Sequence, residues 1–434
     1  MKLLIINYSD KNGGAAIATH RIYKSLKKKI DVYLYVVDKN NRDKKIIINN
    51  QLFYFFLKLF ENIIRKIFHG NSINFHSYNL LPTGSLKIIN KINPDIVQLH
   101  WVGMNTLSIK EIGLIKQPIV WRLSDMWPMC ATEHYNNNSI SKNIIDFSLR
   151  KFLNIDKYVF HLKNKYWNKN FFFIAPSFWI KSKLNKSFLS KRNNVIIIPN
   201  AIDTFFWRAQ NKARIKKRLN IKKKVVITYG ASVIDDPRKG LFYLLNSLYF
   251  LDHDFELFLF GKITDKYFLK KFSNTKNIRY LGDITDKVFL RDIYSVSDVV
   301  VIPSIMDNSP NVLFEANSCS APVVAFNNSG IKDFILHKKT GWLAKNKNSK
   351  DLSAGIKWCV SNKNKKFLKT NARAFCVKNY SEQVISSAYM KVYKKIILNK
   401  NCNNKKNFLR ETGKSLGRVT QNIISQKYLK YFIK

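Results

Sequence analysis

The stretch Asp298–Gly330 reads DVVVIPSIMDNSPNVLFEANSCSAPVVAFNNSG and decides the fold class. A β-branched run ends at Pro303-Ser304, a polar loop and a helix-forming segment follow, and a second apolar run begins at Pro322. Two buried strands joined by a helix are the repeating unit of a parallel sheet, with a right-handed connection between them. The stretch therefore predicts an α/β protein with parallel strands.

The same alternation of short apolar runs and longer amphipathic stretches continues along the 434 residues. Many runs are apolar on both faces, as expected for strands between two layers of helices. The first series of predicted strands is Lys2–Ser9, Asp31–Asp38, Asp95–Val102, Pro118–Asp125 and Phe171–Ser177. The second series is Val195–Ala201, Lys224–Ser232, Phe255–Lys262, Ile278–Gly282, Asp298–Ser304 and Pro322–Asn328. So many strands predict two Rossmann-like, doubly wound domains with a cleft between them.

The predicted domain organisation has four parts. Residues 1–197 form an N-terminal Rossmann-like domain and 198–379 a C-terminal one. Residues 380–398 have the apolar periodicity of a helix, which we interpret as a crossover helix. Residues 399–434 are basic and polar, and we expect a loosely held C-terminal tail.

The chain is strongly basic, with 75 lysines and arginines against 28 acidic residues and a net charge of +47. Such a charge attracts polyanions, either nucleic acid or an anionic lipid surface. Heavy use of Lys, Asn and Ile also suits an AT-rich genome, so compositional drift is an alternative explanation. A nucleic-acid-binding protein would carry a known module or basic clusters interleaved with aromatics. The sequence has neither, so no specific nucleic-acid partner is expected.

No targeting signal is evident. The sequence has no run of eighteen apolar residues, and Leu3–Ile6 is too short for the core of a signal peptide. The five cysteines are widely spaced and include no Cys-x-x-Cys, so neither disulfides nor a zinc site is expected and a reducing compartment is favoured. We therefore expect a cytoplasmic protein, peripheral at the inner face of the cytoplasmic membrane.

The segment Phe53–His69 is a strongly amphipathic helix candidate. Its polar residues are predicted to share one face, and they are Lys58, Glu61, Asn62, Arg65 and Lys66. An ordinary helix packed on the N-terminal sheet would explain the pattern. The alternative is an interfacial helix whose aromatic residues enter a lipid headgroup layer while basic residues contact anionic lipid.

Two glycines, Gly13 and Gly14, follow the first predicted strand and precede a helix predicted over Ile17–Lys27. Glycines let a ligand approach the backbone closely, and a helix N-terminus attracts anions. The third glycine of the dinucleotide fingerprint is absent, and no acidic residue at the end of the second strand is assigned to a ribose. Both features argue against NAD binding, and a well-packed turn is the alternative.

Asp298–Gly330 also carries the main candidate site. Asp307 is on a loop after a buried strand, and Glu315 is one turn into the next helix, so both are predicted to face the carboxyl edge of the sheet. The loop continues through Asn308, Ser309 and Pro310 to a helix start at Asn311. The free backbone amides at a helix N-terminus can donate hydrogen bonds to phosphate, and a carboxylate can accept hydrogen bonds from the vicinal hydroxyls of a ribose or hexose.

A second candidate site follows the strand that ends near Gly230. Arg238 and Lys239 stand between Pro237 and Gly240, ahead of a helix predicted over Leu241–Leu251. The guanidinium of Arg238 can donate two hydrogen bonds to a phosphate, and the ammonium of Lys239 adds a positive charge. The pair could therefore stabilise a departing diphosphate. A solvated basic turn is the alternative.

Taken together, these segments resemble glycosyltransferase family 4, and the resemblance covers about residues 1–395. The segments that carry it are the Gly13-Gly14 loop, Trp121–Tyr135 (WRLSDMWPMCATEHY), Ile198–Trp207 (IPNAIDTFFW), Asp236–Gly240 (DPRKG), the stretch from Asp307 to Phe326 and Ser329–Ala344. The resemblance implies a GT-B fold with an acceptor-binding N-terminal domain and a nucleotide-sugar-binding C-terminal domain. The nearest likeness, through the DMWP segment, is to bacterial enzymes of surface-polysaccharide synthesis.

The family's donor contacts can be carried over to matching positions. The acidic-x7-Glu motif becomes Asp307 and Glu315, so Glu315 would hold the nucleotide ribose and Asp307 would meet the sugar hydroxyls with Asn308. Lys239 matches the diphosphate-binding lysine. The family's partner arginine is replaced by Ser232, and Arg238 is expected to substitute for it.

In the N-terminal domain, Ser124 replaces the family's histidine, which comes just before the aspartate matched by Asp125. Either Asp125 or His134 is then expected to act at the sugar. His100 is a further cleft candidate, with a packed strand-end histidine as the alternative. Because Ser124 and Ser232 replace the family's histidine and arginine, a protein that binds a sugar nucleotide without catalysing transfer is an alternative.

The resemblance implies transfer of a sugar, with retention of anomeric configuration, from a UDP- or GDP-sugar to a saccharide or lipid-linked saccharide. The product would enter capsule, O-antigen (lipopolysaccharide) or exopolysaccharide. The sugar nucleotide is a co-substrate, so no cofactor is expected, and we expect the active site to be metal-independent.

Overall fold

The computed structural model describes residues 1–70, 72, 75–135, 154–190, 194–252, 254–265 and 277–401. The chain divides into two compact units. The first comprises Met1–Pro199 with the chain from Ser386 onward, and the second comprises Asn200–Ile385. Of the tail predicted over 399–434, residues 399–401 belong to the last helix and 402–434 lie outside the described residues, as does 136–153.

The first unit is built on a parallel sheet of seven strands in the order β3-β2-β1-β4-β5-β6-β7. Its strands are β1 (Lys2–Ile6), β2 (Asp31–Val36), β3 (Ile46–Ile48), β4 (Ile96–Leu99), β5 (Ile119–Arg122), β6 (Phe172–Ala175) and β7 (Asn194–Ile197). Its helices are α1 (Gly14–Lys27), α2 (Gln51–His69), α3 (Ser85–Ile92), α4 (Ile109–Leu114), α5 (Ile155–Tyr166) and α6 (Phe178–Asn185). Because β1, β4 and β5 are almost wholly buried, their sequences are mostly apolar.

The second unit contains a six-stranded parallel sheet in the order β10-β9-β8-β11-β12-β13. Its strands are β8 (Val225–Val233), β9 (Phe255–Lys262), β10 (Ile278–Tyr280), β11 (Val299–Ile302), β12 (Val323–Phe326) and β13 (Gly341–Ala344). Its helices are α7 (Lys212–Arg218), α8 (Leu241–Leu248), α9 (Lys287–Val296), α10 (Asn311–Ser318), α11 (Ser349–Val360) and α12 (Asn362–Tyr380), with a 3-10 turn at Pro237–Lys239. The strand order reverses between β8 and β11, which is where open α/β sheets bind ligands.

The last described helix, α13 (Glu382–Asn401), begins in the second unit and belongs to the first from Ser386 onward. Within the first unit, the Lys29 ammonium donates to the Ser386 hydroxyl at 2.8 Å, and the Tyr393 hydroxyl donates to the Gln98 side chain of β4. The chain therefore returns to the first sheet after completing the second.

All eleven predicted strands are present, with two differences from the sequence analysis. The run at Val195–Ala201, which we placed in the second series, supplies β7 at the edge of the first sheet. The edge strands β3 and β13 were not predicted. Two doubly wound parallel sheets confirm the predicted fold class.

The orientation of α2 differs from the predicted one. Its buried residues are Tyr54, Leu57, Glu61 and Ile64, so Glu61 lies on the face that packs against the unit and not on a polar outer face. Its exposed apolar residues are Leu52, Phe53, Phe55, Phe56, Leu59, Phe60, Ile63 and Ile67. Among the described residues, no helix has the length and apolar character needed to cross a membrane.

Candidate functional site

The loops after β8 and β11 contact each other at the point where the second sheet's strand order reverses. The Ile305 amide donates to the Arg238 carbonyl at 2.8 Å. Gly240 has a φ of +74°, and a Cβ there would lie 1.9 Å from the Pro303 carbonyl oxygen. Only glycine combines that backbone conformation with such a close approach. Gly240 therefore allows the basic turn at 237–239 to pack closely against the loop that follows β11.

This contact brings together two residues predicted to bind the donor. The Lys239 ammonium lies 2.6 Å from Oδ2 of Asp307, and their side chains are 23% and 11% exposed. The Asp307 amide donates to the Ser329 hydroxyl at 3.2 Å, while the Asp307 carbonyl accepts the Gly330 amide at 2.9 Å. Three loops thus fix a cation beside a carboxylate at the carboxyl edge of the sheet.

Arg238 is held within its own turn. Its Nη2 lies 2.7 Å from Oδ2 of Asp236, and its amide donates to Oδ1 of the same carboxylate at 2.8 Å. The structure therefore places this guanidinium on Asp236, while the neighbouring Lys239 reaches Asp307. Ser232, at the position of the family's arginine, is exposed near the end of β8.

The loop Asn308–Pro310 leads directly into α10, which begins at Asn311 as predicted. Pro310 occupies the N-cap position and has no side-chain group that could cap the helix. The Asn200 side chain donates to the Ser309 carbonyl at 2.9 Å and to Oδ1 of Asn311 at 3.1 Å. The helix start is thereby fixed next to Asp307, with its positive dipole end at the sheet edge.

Glu315 is buried in the first turns of α10, with 5% of its surface exposed. The Tyr294 hydroxyl from α9 donates to its Oε2 at 3.0 Å. Tyr294 and Asn200 were not assigned roles in the sequence analysis. Both act on predicted site residues through contacts between distant segments, for which a single sequence offers no signal.

In the first unit, Gly13 has a φ of +93° and is the N-cap of α1, with no atom within 4 Å of a Cβ built there. Asp38 lies just beyond β2. Its Oδ2 accepts hydrogen bonds from the Ser9 hydroxyl and the Asn12 amide group, each at 2.8 Å. This carboxylate orders the loop before Gly13.

Asp125 lies in a buried hydrogen-bond network. Its Oδ2 is 2.6 Å from the Trp101 indole nitrogen and 2.5 Å from Nδ1 of His134. Its Oδ1 accepts the Trp127 amide at 3.0 Å. The other nitrogen of His134 lies 2.8 Å from the Ser77 hydroxyl. The structure therefore brings Asp125 and His134 together as one unit with a fixed orientation.

His100 is buried at the end of β4. Its Nδ1 lies 2.8 Å from the Thr19 hydroxyl and its Nε2 lies 2.5 Å from the Gln98 amide nitrogen. Burial, with the nearby Arg122 charge, lowers the pKa of His100 well below its usual value. This is the packed strand-end histidine of the alternative interpretation.

Ser124 accepts a hydrogen bond from Arg122 Nη1 at 3.1 Å.

One Asp-x-Asp sequence occurs, at Asp252 and Asp254, just before β9. Lys357 neutralises Asp252 and Lys223 neutralises Asp254, each with nitrogen and oxygen 2.5 Å apart. This position is at the amino edge of the sheet, away from Lys239 and Asp307 at the carboxyl edge. The pair is therefore not part of the candidate donor site.

Comparison with known proteins agrees with this geometry. Residues 209–375, which include Lys239, Asp307 and Glu315, match the family described as glycosyl transferases group 1. The chain is a glycosyltransferase in which these residues match the group 1 family.

Similar proteins extend over both units of the glycosyltransferase. It is 23% identical over 321 residues to the N,N'-diacetylbacillosaminyl-diphospho-undecaprenol alpha-1,3-N-acetylgalactosaminyltransferase of Campylobacter jejuni, covering 72% of this chain and 80% of that one. It is 23% identical over 229 residues to the capsular polysaccharide biosynthesis glycosyltransferase CapM of Staphylococcus aureus, covering 49% and 58%. The crystal structure of HepE from Anabaena, in complex with UDP and glucose, superposes with a TM-score of 0.65 at 16% identity, covering 91% and 99%. The enzyme thus has the GT-B fold and relatives in surface-polysaccharide synthesis.

Proposed function

We propose that this glycosyltransferase transfers a sugar, with retention of configuration, from a nucleoside-diphosphate sugar to a hydroxyl of a lipid-linked saccharide during surface-polysaccharide synthesis. The observation that carries the proposal is the Lys239–Asp307 pair at 2.6 Å, fixed beside the start of α10 where the strand order of the second sheet reverses. Such positions bind nucleotides in doubly wound sheets.

Each donor group has a matching protein group. Lys239 and the first turn of α10 stabilise the diphosphate, because both present positive charge. Glu315, oriented by Tyr294, accepts the ribose hydroxyls. Asp307 accepts hydroxyls of the transferred sugar. In the ligand-free form Asp307 partly neutralises Lys239, so the arriving diphosphate replaces a carboxylate as the partner of the ammonium.

The chemistry requires stabilisation of charge that develops at the leaving diphosphate. The bond from the anomeric carbon to the phosphate oxygen breaks while the acceptor oxygen forms a bond on the same face. The acceptor's proton goes to the leaving phosphate, so no protein base is required. A preorganised cation at the leaving group is worth about 3–4 kcal/mol of barrier. Lys239 supplies that cation, with Arg238 close by on the same turn.

The acceptor class rests on two considerations. The Campylobacter relative is named for a diphospho-undecaprenol acceptor, and CapM for capsular polysaccharide synthesis. A lipid-linked acceptor resides in a membrane, and the chain carries a net charge of +47 that favours an anionic surface. A saccharide carried on a lipid diphosphate is therefore the acceptor that we propose.

The exposed face of α2 is the surface that we propose contacts this membrane. Phe55 and Phe56 are 60% and 58% exposed, and Leu59 is 50% exposed. Lys58 and Lys66 are exposed on the same helix. An exposed aromatic face with lysines at its margin inserts into the headgroup layer, with the charges on anionic lipid. This helix lies in the unit to which we assign acceptor binding.

The test of the transfer reaction is a thermal-shift screen of the full chain against UDP- and GDP-sugars, followed by transfer from the best donor to lipid-linked saccharides. NMR of the product's anomeric proton then reads the configuration. A stabilising donor with a product of unchanged configuration supports the proposal. An inverted product refutes retention, and donor binding without turnover on any acceptor favours the sugar-nucleotide-binding alternative.

The membrane surface is tested by sedimentation with vesicles that contain anionic lipid. The double variant Phe56→Ser/Phe60→Ser should lose binding, because both side chains lie on the exposed face. The matched control is Phe205→Ser/Tyr249→Ser, which removes two aromatics that are each 87% exposed in the other unit. Equal sedimentation of both double variants and the wild type would exclude α2 as the lipid contact.

A further inference from the structure

A cluster of three metal-binding side chains lies in the first unit, outside the donor site. It consists of His69 at the end of α2, His76 in the following segment and Asp156 in the first turn of α5. One potential ligand atom from each residue lies within 4.8 Å of those of the other two. His69 and His76 are seven residues apart, but Asp156 is distant in sequence, so no spacing motif reveals the cluster. The cluster has no part in the proposed transfer reaction.

Each of these side chains forms a hydrogen bond with a residue outside the cluster. Nδ1 of His69 lies 2.7 Å from the Tyr78 hydroxyl, and Nδ1 of His76 lies 2.9 Å from the Thr132 hydroxyl. The Thr132 hydroxyl is also 2.5 Å from Oδ1 of Asp156. A carboxylate only accepts, so Thr132 donates to Asp156 and accepts the proton on His76 Nδ1. This arrangement is typical of metal-binding histidines, in which one ring nitrogen is held by a polar partner and the other binds the metal.

The nitrogens available to bind a metal are therefore the two Nε2 atoms, and that of His76 lies 3.3 Å from the Ser72 hydroxyl. Nε2 of His69 already lies 3.3 Å from Oδ2 of Asp156. The two imidazole rings are stacked with their centroids 3.7 Å apart.

We propose that His69, His76 and Asp156 bind a divalent transition-metal ion of the zinc class. Two imidazoles and one carboxylate suit zinc, whereas magnesium and calcium prefer oxygen ligands. Ligand atoms around a tetrahedral zinc with bonds of about 2.1 Å lie about 3.3 Å apart. Small side-chain rotations that bring the three atoms closer complete the site. The 25% exposed Asp156 side chain leaves a path for the ion and a water as fourth ligand.

The ion would tie the C-terminal end of α2 to the start of α5. Helix α2 carries the exposed apolar face described above, and the side chain of its last residue, His69, lies 3.3 Å from Asp156 of α5. Metal binding would therefore stiffen the support of the proposed membrane surface. The metal site stands independently of that surface and of the donor site.

The test is equilibrium dialysis of the chelator-treated full chain against Zn²⁺, with bound metal measured by elemental analysis. The wild type should bind one zinc per chain, and zinc should raise its thermal midpoint. His69→Gln and Asp156→Asn should each lose this zinc and the thermal shift. The control His161→Gln removes an exposed histidine from the same helix as Asp156 and should bind normally.

Two further measurements distinguish this site from adventitious binding by cysteines or surface histidines. Co²⁺ bound to the wild type should give the visible absorption of a four-coordinate nitrogen–oxygen site, and Asp156→Asn should abolish it. Thr132→Val should weaken zinc binding by about 10–100-fold, since it removes an outer partner of both His76 and Asp156. A wild type that binds no zinc would overturn the proposal. So would unchanged zinc content in both His69→Gln and Asp156→Asn.

Discussion

Replacing Glu61 by Gln should remove part of the pH dependence of this enzyme's free energy of unfolding. Glu61 is on the face of α2 that packs against the first unit, where its Oε1 accepts the Tyr78 amide at 3.0 Å. Burial raises the pKa of this carboxyl from 4.5 to about 7. The folded protein therefore prefers the neutral acid, whereas the unfolded chain ionises near pH 4.5.

The magnitude follows from the size of this shift. Between pH 4.5 and 7 the folded state holds one more proton at Glu61 than the unfolded state, so stability falls as pH rises. A pKa raised by roughly 2.5 units corresponds to about 3 kcal/mol, at 1.36 kcal/mol per unit. This contribution is fully present below pH 4.5 and is lost as pH rises through the folded-state pKa of about 7. Glutamine keeps the acceptor for the Tyr78 amide but does not titrate.

The assay is urea unfolding of the wild type and Glu61→Gln at pH 4.5 and pH 7.5. The difference in free energy of unfolding between the two proteins should shift by about 3 kcal/mol in favour of the variant at the higher pH. Other titrating groups cancel in this comparison because they are common to both proteins. A difference that stays constant between the two pH values, to within about 1 kcal/mol, would refute the assigned burial of Glu61.

Three further predictions concern the second unit and the membrane surface. Gly240→Ala should destabilise the fold by more than about 2 kcal/mol in thermal unfolding, because φ is +74° and the Cβ meets the Pro303 carbonyl. Gly282→Ala, with a φ of +72° and open space, is the control and should cost about 1 kcal/mol; equal costs would contradict the close packing of the two loops. Tyr294→Phe should weaken nucleotide binding by about 3–10-fold in calorimetry while leaving kcat nearly unchanged, since it removes only the donor to Glu315; a loss confined to kcat would contradict its positioning role. Phe56→Ser/Phe60→Ser should leave the transfer rate to a water-soluble acceptor unchanged, and a parallel loss there would indicate misfolding instead of lost lipid contact.

The fold was predictable because parallel strands covered on both faces are continuous apolar runs. β1, β11 and β12 all show this pattern, and their boundaries were placed to within a few residues. The edge strands β3 and β13 were not predicted, whereas the edge strands β7 and β10 were. Helical periodicity located α2 but could not tell which face packs inward, since a wide apolar arc is compatible with either orientation.

The candidate site was partly predictable for a similar reason. Lys239 and Asp307 each lie in a short segment after a strand, and parallel strands end at a common edge, so their proximity follows from the topology. The placement of Arg238 on Asp236 depends on the local turn geometry and was not anticipated. The Tyr294–Glu315 hydrogen bond and the histidine cluster depend on tertiary packing between distant segments. No spacing motif in a single sequence predicts such contacts.

The carboxyl edge of the second sheet should bind a nucleoside-diphosphate sugar through Lys239 and Glu315. This binding can be measured by isothermal titration calorimetry with the stabilising donor, on the wild type and on Lys239→Ala and Glu315→Ala. Each variant removes a charge-assisted hydrogen bond worth about 1.5–3 kcal/mol, so the donor Kd should rise by roughly 10–100-fold. Lys357→Ala, which removes a lysine paired with Asp252 at the opposite edge, should bind as the wild type does. Wild-type affinity in both Lys239→Ala and Glu315→Ala would contradict the assignment.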